Sequence, residues 1–504
     1  MSPDVRRASG ILLHPTSLPG PHGIGDLGEA AQEFLEFLSS SGQGLWQVLP
    51  LGPTGYGDSP YACFSSFAGN PLLINLDALR AWGLLDARDL AGIPRFSADS
   101  VDYGAVYEWK IPLLRKAASA FLDSSDKTLN DRFGGFRAKA RWLPDFSLFM
   151  ALKAAFGGGA WNRAWDRDIA LRDCSALERW RTELADAAKK EEVIQFFFFQ
   201  QWEAVRRAAA GRGIRIVGDM PIFAAEDSAD VWANRGLFLL DENGHPTLVA
   251  GVPPDYFSST GQLWGNPLYD WDALKREGFS LWVEKLKSAL EMYDFLRIDH
   301  FRGFESCWAV TASLPTAERG KWMRVPGVEL FEAVKLALGD APIVAEDLGV
   351  ITPEVEALRE RFGFPGMRIL QFAFDKGEAG ILSSDNRFLP HNHARDCVVY
   401  TGTHDNDTTM GWYESRTPEE RAYLDRYADS RQDNPAWRLI RMAMASVAGF
   451  CVIPLQDVLV LGRDARMNMP GTVGSNWRWR FAPGLLSDAL ARRLRGMSEL
   501  YGRA

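Results

Sequence analysis

Four short apolar runs in this sequence each end in acid. Ile214–Val217 leads into Gly218-Asp219, Phe295–Ile298 into Asp299-His300, and Ile343–Ala345 into Glu346-Asp347. Val398–Tyr400 leads into Thr401-Gly402-Thr403-His404-Asp405. A buried strand gains nothing from a lone charge at its end, because desolvating that charge is costly. Helix N-capping, where Asp is favoured, is one use for any single acid of this kind. Four of them on one rim point to a site built from several carboxylates. Arg297 stands two residues before Asp299, so the strand period puts both side chains on one face. In a barrel that face is the interior. An arginine there needs an anion, and Asp299 is the nearest in sequence. The pair is either a structural ion pair or a device that keeps Asp299 ionised, the state a carboxylate nucleophile requires. Glu346 suits the complementary task. In two-carboxylate glycoside chemistry one acid stays protonated and hands its proton to the leaving oxygen. A neighbouring charge or an apolar setting raises its pKa for that purpose. Asp347 points the other way on a continuing strand and is expected to be structural or capping.

These acids need a frame that brings distant segments together. Eight apolar runs recur along the chain: Ile11–Leu13, Leu45–Leu49, Ile214–Val217, Phe295–Ile298, Ile343–Ala345, Met367–Leu370, Val398–Tyr400 and Phe450–Ile453. Continuous runs of this length suit strands buried on both faces. Helical patterns lie between them. Asp26 with Glu29 predicts a capping box, with Leu27, Ala31, Phe34, Leu35 and Leu38 on one face and Gly42 closing the helix. Thr352-Pro353 predicts another helix that stops at Gly363, and a third covers about 185–210 and ends at Gly211. The alternation predicts a (β/α)₈ barrel, with a doubly wound sheet as the structural alternative. One domain over 1–504 is expected. Residues 51–213 and 219–294 are too long for single crossovers and are expected to be insertions walling the strand C-terminal ends.

Composition narrows the partners. The chain has 504 residues, a formal net charge of −9 and 46% hydrophobic residues. That is an ordinary globular balance, and the acidic excess argues against nucleic acid, which requires a basic stripe. Cys63, Cys174, Cys307, Cys397 and Cys451 are scattered, odd in number and never in a C-x-x-C pair. This fits a reducing cytoplasm and gives no zinc signature. The densest apolar patch, Phe196–Phe199, is flanked by Gln195 and Gln200 and is far too short to span a bilayer.

Wider strings then become informative as an ordered set. Gly218-Asp219-Met220-Pro221, Arg297-Ile298-Asp299-His300, Ala345-Glu346-Asp347-Leu348-Gly349 and Thr403-His404-Asp405-Asn406-Asp407 resemble the four signature regions of the α-amylase superfamily. His14-Pro15-Thr16-Ser17-Leu18-Pro19-Gly20, Gly57-Asp58-Ser59-Pro60-Tyr61, Gly251-Val252-Pro253-Pro254-Asp255-Tyr256-Phe257 and Gly265-Asn266-Pro267 resemble its amylomaltase branch, the disproportionating enzymes. The similarity runs nearly end to end. It implies a 4-α-glucanotransferase acting on α-1,4-glucans and maltooligosaccharides, without metal or other cofactor and without the C-terminal β-sandwich usual in amylases. It implies Asp299 as nucleophile, Glu346 as acid and base, and Asp405 as the group holding the 2- and 3-hydroxyls of the distorted sugar. Asp219, Arg297, His300 and His404 would line that subsite, and Tyr61 would offer it a ring. Asp255 and Trp264 would contact the acceptor. Tyr56 and Tyr103 would form a second glucan contact away from the reacting centre.

Residues 251–269 read as a long loop with rigid prolines, glycine hinges and exposed aromatics. As a lid it would exclude water and offer Tyr256, Phe257 and Trp264 as sugar platforms. As a packed connector it would bury them. The same acids fit an α-amylase-type hydrolase. A metal-dependent barrel using Asp219, Glu346 and Asp405, and a non-catalytic glucan-binding protein, are the remaining alternatives. The first lacks any tight ligand spacing, and the intact acid set speaks against the second.

Overall fold

The structure, a computed structural model, describes every residue except 1–6, 56, 255–257, 377–379, 430–432 and 473. In chain order the strands among the described residues are β1 (Ala8–Leu12), β2 (Leu45–Gln47), β3 (Arg215–Met220), β4 (Leu248–Val252), β5 (Gln262–Pro267) and β6 (Phe295–Ile298). They continue with β7 (Ser306–Thr311), β8 (Gly320–Arg324), β9 (Ile343–Ala345), β10 (Gly366–Ile369), β11 (Cys397–Tyr400) and β12 (Phe450–Pro454). Eight of these form one sheet in the order β10-β11-β12-β1-β2-β3-β6-β9, and its ladders are all parallel. The two ends of that sheet meet. The Ala345 N–H donates to the Pro365 carbonyl at 2.9 Å. The Met367 N–H donates to Oδ1 of Asp347 at 2.6 Å, so a carboxylate stands in for a ladder partner at the seam. A side chain on Gly366 would collide with that carboxylate, its Cβ falling 2.4 Å from Oδ2. Closure decides between the two topologies considered: the fold is a (β/α)₈ barrel.

Helices cover the outside of the cylinder. Glu29–Ser40 follows β1, Ala185–Gly211 precedes β3, Ser280–Met292 precedes β6, and Gly327–Leu338 precedes β9. Pro353–Arg361, Pro435–Ala445 and Asp488–Leu500 cover the rest. With helices outside and side chains inside, the barrel strands are buried on both faces, which explains their near-continuous apolar sequences. The interior also holds polar groups that bond to one another: the Tyr400 hydroxyl donates to Oε1 of Gln47 at 2.8 Å.

Several boundaries differ from the sequence reading. β1 starts at Ala8 rather than Ile11, because Ser9 and Gly10 pair by backbone with Cys451 and Val452 and need no apolar side chain. β2 stops at Gln47, although Val48 still donates to Val217 at 2.9 Å. β3 runs on to Met220, so Asp219 lies within a strand rather than after it. The expected capping box does not form. The first helix begins at Glu29 behind Gly28, which makes no side-chain cap, and Leu27 precedes it. Asp26 instead accepts from the Gly28 N–H at 3.0 Å and from Asn75 Nδ2 at 2.9 Å, beside His22. The carboxylate that is buried is Asp26 itself, and it is taken up by Asn75, His22 and the Gly28 N–H, leaving no reciprocal bond with Glu29.

The segment 51–213 contains helices Leu76–Ala81, Tyr103–Leu122, Lys127–Lys139, Leu143–Ala155 and Cys174–Glu183 before the return helix Ala185–Gly211. Phe196–Phe199 lie in the return helix, where Phe196 meets Phe121, Phe133 and Phe136. The segment 251–269, read as a loop, is partly a hairpin. β5 pairs antiparallel with β4 in a second sheet, ordered β5-β4-β7-β8. Gly265, Asn266 and Pro267 disguise β5 as loop in sequence; pairing with β4 overrides that local preference. Among the described residues, no helix is long and apolar enough to cross a membrane.

Candidate active site

Register sets the relative heights of the acids. Asp219 of β3 lies opposite Arg297 of β6, and Ile298 lies opposite Ala345 of β9. One residue beyond that last pair, Asp299 and Glu346 leave adjacent parallel strands side by side. Adjacent strands run about 4.8 Å apart. Arg297, 3% exposed, is inside the barrel as expected. Its Nη2 is 3.0 Å from Oδ1 of Asp299. Its Nη1 donates to both oxygens of Asp219, at 2.7 and 2.6 Å. The second anion could not be read along one strand, because it comes from the neighbouring one.

Charge and burial oppose each other here. The Asp299 carboxyl is pushed up to about 7 in all: burial raises it most, Arg297 pulls it down, and the charges of Asp219 and Asp405 add to the rise. The arginine therefore acts in the expected direction but does not keep Asp299 at an ordinary carboxylate pKa, because desolvation outweighs it. Glu346 is pushed well above its ordinary range, first by burial and then by Asp299. Asp299 keeps 28% of its side chain open and lies against a guanidinium, so it is the first of the two to lose its proton.

His300 has φ 51° and ψ 48°, the left-handed conformation, and its N–H donates to Oε2 of Glu346 at 2.5 Å. Burial drives its imidazole pKa down to about 3, so the ring is neutral. The ring meets Trp264 edge-on at 4.7 Å. Trp264 is 37% exposed on β5, and its Nε1 donates to Gln262 at 3.2 Å. Tyr61, half-buried, reaches over the rim from the 51–213 segment. Its hydroxyl donates to Oδ2 of Asp219 at 2.9 Å and lies 2.9 Å from Nε2 of His404. The hydroxyl hydrogen is committed to Asp219, so Nε2 of His404 carries the hydrogen shared with the tyrosine oxygen. The Tyr61 and His404 rings are stacked, 5.3 Å apart at 15°. Asp405 sits beyond His404. Its Oδ1 accepts from Asn468 Nδ2 at 2.6 Å, and its Oδ2 is 3.4 Å from His404 Nε2.

The structure thus gathers Tyr61, Asp219, Arg297, Asp299, His300, Glu346, His404, Asp405 and Trp264 at one end of the barrel. Asp347 is buried at the seam between β9 and β10, 3.1 Å from Arg368. Asp255, Tyr256, Phe257 and Tyr56 lie outside the described residues. Tyr103 is buried at 6% exposure, and its hydroxyl donates to the Trp477 carbonyl at 3.0 Å. Sequence reasoning passed over Asn468, Arg466 and Trp477. Arg466 donates to the Asp405 carbonyl at 2.6 Å, and Trp477 packs on Tyr61 and His404. All three lie on an irregular segment after β12, where no acid following a strand marks them. Among the described residues, no group of three or more His, Cys, Asp or Glu side chains is placed to hold a metal ion.

Residues 13–486 match the sequence model of the 4-alpha-glucanotransferase family. A 4-alpha-glucanotransferase of Thermus thermophilus is 53% identical, over 99% of this chain and 100% of its own length. A chloroplastic/amyloplastic 4-alpha-glucanotransferase of Arabidopsis thaliana is 44% identical, over 99% of this chain and 86% of its own. The solved structure of the amylomaltase from Streptococcus agalactiae, in complex with acarbose, superposes with a TM-score of 0.95 at 40% identity, covering 99% of this chain and 100% of that one. Similarity of this depth over the whole barrel, rim included, means that the chain belongs to the 4-alpha-glucanotransferase family and is a transferase of that type.

Proposed function

We propose that transfer proceeds by a retaining double displacement at the rim of β3, β6, β9 and β11, on α-1,4-glucans and maltooligosaccharides. Asp299 attacks the anomeric carbon of the donor. The bond from that carbon to the O4 leaving group breaks, and Glu346 gives its proton to the departing oxygen. A 4-hydroxyl of the acceptor then opens the glucosyl-enzyme, losing its proton to Glu346 and freeing Asp299. When the acceptor is the far end of the same chain, the product is a cyclic glucan. Asp405, braced by Asn468, holds the 2- and 3-hydroxyls of the reacting sugar. Tyr61, Asp219, Arg297, His300 and His404 wall its subsite. Trp264 supplies an acceptor-side ring, and Asp255, Tyr256 and Phe257 belong to the same stretch of chain.

The carrying observation is the placement of Asp299 and Glu346 on adjacent strands at one height. Retaining sites need carboxyls about 5–5.5 Å apart, inverting ones about 6.5–9.5 Å. One interstrand step suits the former. The order of proton loss, Asp299 before Glu346, supports the same division of labour. The segments 51–213 and 219–294 are read as cleft walls on one domain, supported by Tyr61 and Trp264 arising from them. A cytoplasmic location is supported by the cysteines, all free.

Asp299→Asn is the direct test. It is expected to lower turnover of maltotriose by about 10⁴-fold or more while leaving oligosaccharide binding intact, as measured by calorimetry and product chromatography. Wild-type rates in this variant would remove the assignment. With the native enzyme, maltotriose should give glucose together with longer oligomers; only shorter sugars would mean hydrolysis.

A further inference from the structure

Trp477 is out of place by local rules. It has φ +67°, a left-handed conformation in which a bulky side chain is a true outlier. Such residues persist only where their surroundings over-determine them, and they concentrate at functional sites. Among the described non-glycine residues, Asp58, His300 and Trp477 have positive φ and lie at or beside this rim. His300 has its reason in the N–H it gives to Glu346. The Trp477 N–H goes to a backbone carbonyl and not to a carboxylate, so its conformation needs another account.

What holds it is specific. The Trp477 N–H donates to the Met467 carbonyl at 2.7 Å. Its carbonyl accepts from the Tyr103 hydroxyl at 3.0 Å. The carbonyl of the next residue, Arg478, accepts from the Val101 N–H at 2.7 Å. The start of helix Tyr103–Leu122 therefore grips both peptides. Held in this way, the indole, 5% exposed, lies 5.7 Å from the Tyr61 ring and 5.9 Å from the His404 ring. Arg478 adds a second hold, with Nη2 3.6 Å from Oδ2 of Asp58, three residues before Tyr61. Tyr61 and His404 cannot drift independently. Their shared hydroxyl contact continues through Asp219 to Arg297 and Asp299.

We infer that Trp477, clamped by Tyr103, is a positioning residue that fixes the Tyr61–His404 wall of the donor-sugar subsite. Tyr103 then serves the reaction through its hydroxyl, which holds the Trp477 carbonyl. The inference rests on the reading of this rim as the donor subsite.

The test uses the full-length enzyme with maltotriose, recording KM, kcat and the thermal midpoint for Trp477→Leu, Trp477→Phe and Tyr103→Phe. KM is the decisive readout, because a misfolded fraction lowers the rate per milligram without changing KM. A loosened donor wall is expected to raise KM about 5- to 10-fold and lower kcat about 10-fold in Trp477→Leu, with Trp477→Phe closer to wild type because it keeps a ring. Tyr103→Phe keeps its own ring and loses one hydrogen bond, so changes of about 2- to 5-fold in the same direction are expected. If both Trp477→Leu and Tyr103→Phe show wild-type KM and kcat while Asp299→Asn is inactive, the positioning role is wrong and the reaction assignment stands. If Trp477→Leu is impaired but Tyr103→Phe matches wild type, the clamp is wrong. An active Asp299→Asn would instead overturn the site itself.

Discussion

The two ends of this barrel are made from the same strands and have opposite chemistry. At the C-terminal rim the side chains facing inward are Asp219, Arg297, Asp299 and Glu346. At the base, two or four residues earlier on the same faces, they are Arg215, Phe295 and Pro342, with Phe450 arriving from β12. Phe295 and Phe450 belong to strands on opposite sides of the cylinder, and their rings meet edge-to-face at 5.0 Å. The Arg215 guanidinium lies over both, at 5.0 and 5.3 Å. The base closes the barrel with apolar contact. The rim leaves two carboxyls under mutual repulsion and holds His300 and Trp477 in left-handed backbone. Stability is supplied at one end and spent at the other, the division expected when chemistry sits at the C-terminal face.

The largest effect that could break this contrast belongs to the rim. Glu346→Gln removes the proton donor and is expected to cut kcat about 10²- to 10⁴-fold. The native rate should be bell-shaped in pH, rising as Asp299 ionises near 7 and falling when Glu346 loses its proton at higher pH. In Glu346→Gln the alkaline limb should disappear. Stability should move the other way. Both carboxyls have folded pKa values above their unfolded ones, so the folded chain holds protons that the unfolded chain releases. That contribution is complete below about pH 4 and is lost as pH rises through the folded values. Glu346→Gln is therefore expected to melt above the native enzyme at pH 8 and at the same temperature at pH 4. A variant that melts lower at pH 8 would show that Glu346 is a stabilising group and the rim is not strained.

The base should respond in the opposite sense. Phe450→Ala, at a position 1% exposed, is expected to cost about 3–5 kcal/mol in urea unfolding, through lost burial and the cavity left behind. KM for maltotriose should remain native, since the rim is at the far end of the same strands. A changed KM would mean that the two ends are mechanically coupled.

The sequence made much of this legible, and unevenly. β6 and β9 have the boundaries read from their apolar runs, because both are short, continuous and buried on both sides. The acids following them could be located for the same reason. What a single strand cannot display is its neighbour. Asp219 as the main partner of Arg297 depends on the β3–β6 register, and Asp347 at the seam depends on which strands close the barrel. β5 was hidden by Gly265, Asn266 and Pro267, whose local preferences yielded to pairing. The least visible residues, Asn468 and Trp477, sit where no periodicity exists. Asn468 is placed by a hydrogen bond to Asp405, 63 residues away, and Trp477 by one from Tyr103, 374 residues away, and by a φ angle that Trp in general avoids.

The smallest expected effect sharpens the comparison most. Arg215 sits over Phe295 and Phe450 as a cation on two ring faces, an arrangement worth about 0.5–1 kcal/mol at a site of intermediate exposure. Burial lowers its pKa, so part of that attraction is offset by the cost of desolvating the charge. Arg215→Met keeps much of the stem's apolar contact and removes both terms. It should therefore lower the urea midpoint only slightly, by the equivalent of less than about 1 kcal/mol, with native kcat and KM. Four residues further along β3, Asp219 holds the guanidinium that faces Asp299. If Arg215→Met altered KM or the acid limb of the pH profile, the field of the base would reach the rim through the low-dielectric core, and the charges at the two ends would have to be treated as one electrostatic system.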